Sequence, residues 1–209
     1  GGLWRGQLTA SRYVTYSAYG VGDKPKIYRS PFNGGGSNFV SKWTKHSGNI
    51  WVLKDSRLNS DIGTVVFNGG EANAIKKPFL SDLTSDLYFY HDYKNTALYV
   101  YSTENPAKRF YSIEFNAHGN VITVRVNDVT IDNLCIKYGG SHGVGAPSVN
   151  NLVVQNCEFG WIGGSYQQPD VAASDPYTKT RYGNAVEIYG TCTNFRVTDN
   201  YVYQVYDAG

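Results

Sequence analysis

Three segments in the C-terminal half of the chain can be laid over one another: DVTIDNLCIKY (128–138), NLVVQNCEFGW (151–161) and NFRVTDNYVYQ (194–204). In this alignment Val129, Leu152 and Phe195 share a column, and Ile131, Val154 and Val197 share the next. Leu134, Cys157 and Asn200 follow, then Ile136, Phe159 and Val202. The first two copies lie 23 residues apart and the second and third 43 apart, one further unit plus an insertion of 20. A repeat of this length predicts a solenoid, in which each unit buries its apolar edge only by stacking on the next. The alternation is short, β-branched and aromatic residues dominate it, and Asn or Asp stands where each strand must bend, so the units are β-type. No leucine recurs at the spacing of a leucine-rich repeat.

The ends of the copies carry polar residues in matching places. SHGV (141–144) follows the first copy, YGNAV (182–186) the second and YDAG (206–209) the third. His142, Asn184 and Asp207 thus fall into one column at the start of successive strands. Neighbouring strands of a sheet are only ~4.8 Å apart, so these groups are expected to be close. They form either a ladder that satisfies the turns or the floor of a cleft. Val186 and Ile188 take inward positions, which directs Glu187 outward on the same strand as Asn184.

Charge and composition narrow the function classes. A net charge of +2 argues against a nucleic-acid or anionic-membrane partner. No apolar run reaches the length of a membrane span. Charged residues are 17%, below the roughly 25% of an average domain, whereas aromatics reach 15% with 18 Tyr and 4 Trp. This is the make-up of a rigid β-rich protein with aromatic surfaces. Cys135, Cys157 and Cys192 have no metal-ligand spacing and read as buried thiols. No metal and no cofactor is expected, and the chain is expected to be a monomer.

Along the chain, residues 12–18 alternate with period two, and YGVGDKP (19–25) is turn chemistry. Residues 1–38 read as first repeat units followed by the glycine-rich loop SPFNGGGSN. Residues 39–115 do not obey the 23-residue period. They hold aromatic strands around HSGN (46–49) and a hairpin with strands at 87–90 and 97–101, and are expected to be an inserted antiparallel β module. Residues 116–209 return to the repeat. Both ends read as the middle of something longer, so a fragment is expected.

The stretches WRGQL…YVTYSAYGVGDKPKI, VVFNGG…DLYFYHD…ALYVYSTENPAK…YSIE and GNAVEIYG…NFRVTDNYVYQVYDAG resemble right-handed parallel β-helix proteins of bacterial carbohydrate metabolism. Several glycoside hydrolase and polysaccharide lyase families share these signatures. The resemblance implies an all-β fold, a right-handed parallel β-helix with the inserted antiparallel module. It also implies a secreted or periplasmic enzyme acting on a plant or host polysaccharide or oligosaccharide.

Hydrolysis of a glycosidic bond needs two carboxyl groups, and Glu187 with Asp207 is the pair singled out as catalytic; Glu158 is a weaker third. His142 is a candidate sugar ligand or proton carrier, and Asn184 a candidate hydrogen-bonding group. Trp161, Tyr166, Tyr177 and Tyr182 bracket the insertion 164–182, read as a cleft wall whose aromatics stack on sugar. Arg181 is the one basic group expected near that cleft. A lyase working by β-elimination would need such a base, and often calcium on an acidic cluster. A non-catalytic glycan-binding or adhesin-type protein would show the polar column without a cleft.

Overall fold

The computed structural model describes residues 1–172 and 180–207. Strand makes up 44% of the chain and helix 9%, so the all-β reading stands. Two compact units are found: residues 1–30, 119–163 and 182–209 form one, and residues 31–118 with 164–181 form the other.

The first unit contains three parallel sheets. Sheet I has five strands in the order Leu3–Arg5, Lys26–Tyr28, Cys135–Lys137, Glu158–Ile162 and Tyr201–Val205. Sheet II orders Leu8–Thr9, Ile122–Thr123, Val144–Pro147 and Val186–Tyr189, and sheet III orders Thr15–Tyr16, Val129–Asp132, Leu152–Gln155 and Arg196–Thr198. The aligned copies pair in the anticipated register. Val129 is opposite Leu152, Ile131 opposite Val154 and Val154 opposite Val197, while Ile136, Phe159 and Val202 are successive partners. Ile131, Ile136, Val154 and Phe159 are completely buried in one apolar core.

The strands of sheet III are bounded before and after by residues that leave the extended region. Asp128, Asn151 and Asn194 have φ of 62°, 56° and 51°, and Asn133, Asn156 and Asp199 have φ of 56°, 54° and 55°. Asn and Asp tolerate this left-handed conformation best among residues with a side chain. The first set is also joined side chain to side chain, with Asn151 Nδ2 donating to Asp128 Oδ1 at 2.6 Å and Asn194 Nδ2 to Asn151 Oδ1 at 2.5 Å.

The expectation of one right-handed parallel β-helix carrying an antiparallel insert is corrected by these strands. Among the described residues the strands fall into separate parallel sheets and a curled, mixed half-barrel, not into one solenoid. Strands of two to five residues, cut off by left-handed corners, pair only with their equivalents in other copies, so each set closes into its own sheet.

The second unit is built on the mixed sheet. Its seven strands run in the order Ile113–Ala117, Ile62–Phe67, Ala72–Lys76, Tyr88–Asp92, Ala97–Tyr101, Ile50–Lys54 and Trp43–Ser47. Every adjacent pair is antiparallel except Ala72–Lys76 with Tyr88–Asp92, which is parallel. The connection between those two strands, through the short 3₁₀ turn Leu80–Asp82, is long enough to carry the chain back to the same end of the sheet. The module is therefore mixed rather than antiparallel. Phe67, Phe89, Leu98, Ile113 and Phe115 fill its core.

The buried polar groups of this unit include Lys76, Asp61 and His91. Lys76 and Asp61, each with only 3% of its side chain exposed, form an ion pair at 2.5 Å. His91 Nδ1 accepts from the Ile62 N–H at 3.1 Å, so Nε2 carries the proton and donates to the Leu58 carbonyl at 3.2 Å. Burial pushes the His91 pKa down to about 4, with Lys76 adding to the fall and Asp61 opposing it. The unfolded imidazole titrates near 6.5. Between these values the unfolded chain binds the extra proton, so stability falls as the pH drops through the window, by about 3 kcal/mol from this group. Urea denaturation at pH 7 and pH 4 is expected to show that loss in the wild type. The loss should shrink by a similar amount in His91→Gln, whose amide keeps one acceptor and one donor but cannot charge.

Candidate functional site

The site forms on the outer face of sheet II. Val144 and Val186 are partners, as are Gly145 with Glu187 and Ala146 with Ile188. Val144 and Ala146 are fully buried, and Val186 and Ile188 pack on the same core. Because side chains alternate along a strand, Gly145 and Glu187 face outward, in line with Thr123 and Thr9 on the preceding strands. Gly145 leaves room for a neighbour: a Cβ there would fall 2.0 Å from Asn120 Nδ2. Asn120 Oδ1 accepts from the His142 N–H at 3.3 Å, and its Nδ2 donates to Thr123 Oγ1 at 3.4 Å, which also accepts from Gln7 Nε2 at 2.7 Å.

His142 sits at the centre of this group. Its Nδ1 accepts from the Asn184 backbone N–H at 3.1 Å, which leaves Nε2 as the protonated nitrogen of the neutral ring. The Tyr182 ring meets it edge-on, at 5.1 Å between centroids and 84° between planes. The Tyr182 hydroxyl is 2.7 Å from Ser141 Oγ, which accepts from the Gly119 N–H at 3.0 Å. The Asn184 side-chain amide donates to Glu187 Oε2. The Asp207 N–H donates to the Gly183 carbonyl at 3.0 Å. Burial lowers the His142 pKa below its ordinary value, while Glu187 and then Asp207 raise it, with burial prevailing. Two carboxylates thus act on one neutral imidazole.

Backbone contact holds Tyr182 and Asn184 in place. Gly183 has φ of +147°, and a Cβ on it would lie 2.2 Å from Gly163 Cα and 2.5 Å from the Ser141 carbonyl oxygen. Gly183→Ala is expected to cost about 1–3 kcal/mol, the range for overpacking a close contact. Urea denaturation measures it. The same change should loosen the Asn184–His142 bond and shift the His142 ring resonances.

His142, Asn184, Glu187 and Asp207 are brought together, although Asp207 follows strand Tyr201–Val205 of sheet I instead of opening a strand in line with the other two. Tyr182 joins them as a half-buried wall. Two other candidates do not. Trp161 is only 9% exposed and takes φ of 56° within the strand Glu158–Ile162, so its ring is buried and not a sugar platform. Arg181 belongs to the other unit, where Nε donates to the Gly164 carbonyl at 2.6 Å and Nη2 to that of Gly63 at 2.8 Å. Tyr166 also lies in that unit, and Tyr177 is outside the described residues.

Glu158 is engaged on sheet I, 2.7 Å from Lys137 Nζ and accepting from the Tyr203 hydroxyl at 2.9 Å. Gly160 admits that tyrosine, since a Cβ there would be 2.4 Å from Tyr203 Cζ. Burial raises the Glu158 pKa, but the bonds from Lys137 and Tyr203 outweigh it and the net shift is downward.

Asn120, Ser141 and Thr123 were not singled out from the sequence. The available signal was Gly145, a residue without a side chain facing outward one strand before Glu187. Among the described residues no cluster of His, Cys, Asp and Glu is arranged to hold a metal ion, and no helix is long and apolar enough to cross a membrane. No protein-family model, curated protein or solved structure matches this chain.

Proposed function

We propose that the outer face of sheet II cleaves glycosidic bonds, with Glu187 and Asp207 as the two carboxyl groups. The observation that carries this reading is the run of contacts about His142: its Nδ1 accepts from the Asn184 N–H, the Asn184 amide donates to Glu187, and the Asp207 N–H donates to the carbonyl of Gly183 next to Asn184. Glu187, with one oxygen held by the Asn184 amide, is cast as the carboxylate that attacks the sugar or activates water. Asp207, exposed on its turn, is cast as the proton donor to the leaving oxygen. His142 Nε2–H is the donor left for a sugar hydroxyl, because Nδ1 is already occupied. Arg181 spends two of its nitrogens on carbonyls in the other unit, which favours hydrolysis over elimination at this face.

The test is a panel of plant and host polysaccharides incubated with the protein. New reducing ends without ultraviolet absorbance from an unsaturated product are the expected result. An unsaturated product would mean elimination, and binding without cleavage would mean a glycan-binding protein. The anomeric configuration of the first product, followed by NMR, reports whether the acids act by retention or inversion.

A further inference from the structure

The second unit holds a half-open cavity of about 110 Å³ whose lining includes Lys76, Lys77, Phe79, Tyr90, Lys94 and Tyr166. Its walls are mostly rings. Tyr166 lies over the buried Lys76, with Nζ 4.0 Å from the ring centroid. Phe79 is 42% exposed at the mouth.

The polar groups of the lining are unequal. Both acids are committed to the protein: Asp61 accepts from Lys76 at 2.5 and 2.6 Å and from the Tyr166 N–H at 2.8 Å. Asp92 accepts from the Asn95 backbone at 3.2 Å and from its side chain at 2.8 Å. The Tyr93 hydroxyl donates to Asp170 at 2.5 Å, and both nitrogens of His91 are used. What is left for a ligand is donors. Among the described residues no acceptor is hydrogen-bonded to the Lys77 or Lys94 ammonium or to the Tyr90 hydroxyl; Lys77 rests on the Tyr88 ring, with Nζ 3.9 Å from its centroid. A ring-walled cup with two lysines and a phenol to spare suits a ligand with a flat or apolar ring face and an anionic acceptor.

We propose that this cavity binds a single sugar ring bearing a carboxylate, a uronic acid residue. The ring face packs on Phe79 and Tyr166, and the carboxylate meets Lys94 and Lys77. The site stands apart from the hydrolytic reading of sheet II, because a monosaccharide has no glycosidic bond to cleave.

Isothermal titration of the whole protein with glucuronate, glucose and acetate tests it. Glucuronate is expected to bind saturably and at least about tenfold more tightly than glucose or acetate. Phe79→Ala and Lys94→Gln, both at exposed positions, are each expected to weaken glucuronate about tenfold or more. No saturable binding, equal binding of glucuronate and glucose, equal binding of glucuronate and acetate, or affinity unchanged in both variants would overturn the proposal.

Discussion

Glu187→Gln and Asp207→Asn are each expected to lower the rate of polysaccharide hydrolysis by about 10²–10⁴-fold, the usual contribution of a positioned acid or base. The substitutions isolate charge and proton from shape. Glutamine at 187 keeps a side-chain oxygen to accept from the Asn184 amide, so the strand and the His142 contact should survive. Asp207 is exposed and held through its backbone N–H, so its replacement should change stability by no more than about 0.5 kcal/mol. A loss of rate with unchanged unfolding is the expected pattern. Wild-type rates in both variants would remove the two acids from the reaction.

Lys76→Met is expected to destabilise the second unit by about 3–5 kcal/mol at neutral pH. The ammonium is almost wholly buried, bonds both oxygens of Asp61 and lies against Tyr166. Burial pushes its pKa down to about 8, while Asp61 opposes the fall. Removing it leaves Asp61 charged in a nearly dry site with the Tyr166 N–H as a remaining donor. His91 should respond, since Lys76 lowers its pKa and Asp61 raises it; in the variant the imidazole is expected to titrate higher. The double change Asp61→Leu with Lys76→Met removes both charges and is expected to recover much of the loss. Chemical denaturation of the three proteins measures these differences. A cost below about 1 kcal/mol for the single change would place the pair with solvent-exposed ion pairs.

Much of the first unit was legible because its signals are local and repeated. Ile131, Val154 and Val197 could be aligned by their apolar neighbours alone, and they are partners across sheet III. The corners at Asn151 and Asn156 could be anticipated because asparagine adopts left-handed backbone readily. A third set of left-handed residues, on sheet I, could not. Tyr138, Trp161 and Gln204 have φ of 61°, 56° and 50°, and bulky side chains give no hint of that conformation. Trp161 was therefore taken for a surface ring.

Strand direction and global closure were less visible. Alternation marks 72–76 and 88–92 as strands but says nothing of which way they run together. The parallel pair and the separate sheets, in place of one right-handed parallel β-helix, depend on contacts between distant segments. At the site, the spacing of His142 and Asn184 followed from the repeat, and so did the outward aim of Glu187. Arg181 misled because it was assumed to share a surface with its chain neighbour Tyr182, whereas the unit boundary falls between them. Asn120 was missed because it precedes its strand and acts through the space left by Gly145.

The most direct measurement is the pH titration of the His142 imidazole by NMR, assigned by the loss of its signals in His142→Gln. The wild-type ring is expected to titrate below 6.5, because burial outweighs the two carboxylates. It should titrate lower still in Glu187→Gln and again in Asp207→Asn, as each favourable charge is removed. A His142 pKa at or above 6.5, or one that neither substitution moves, would contradict the placement of these acids around a single histidine.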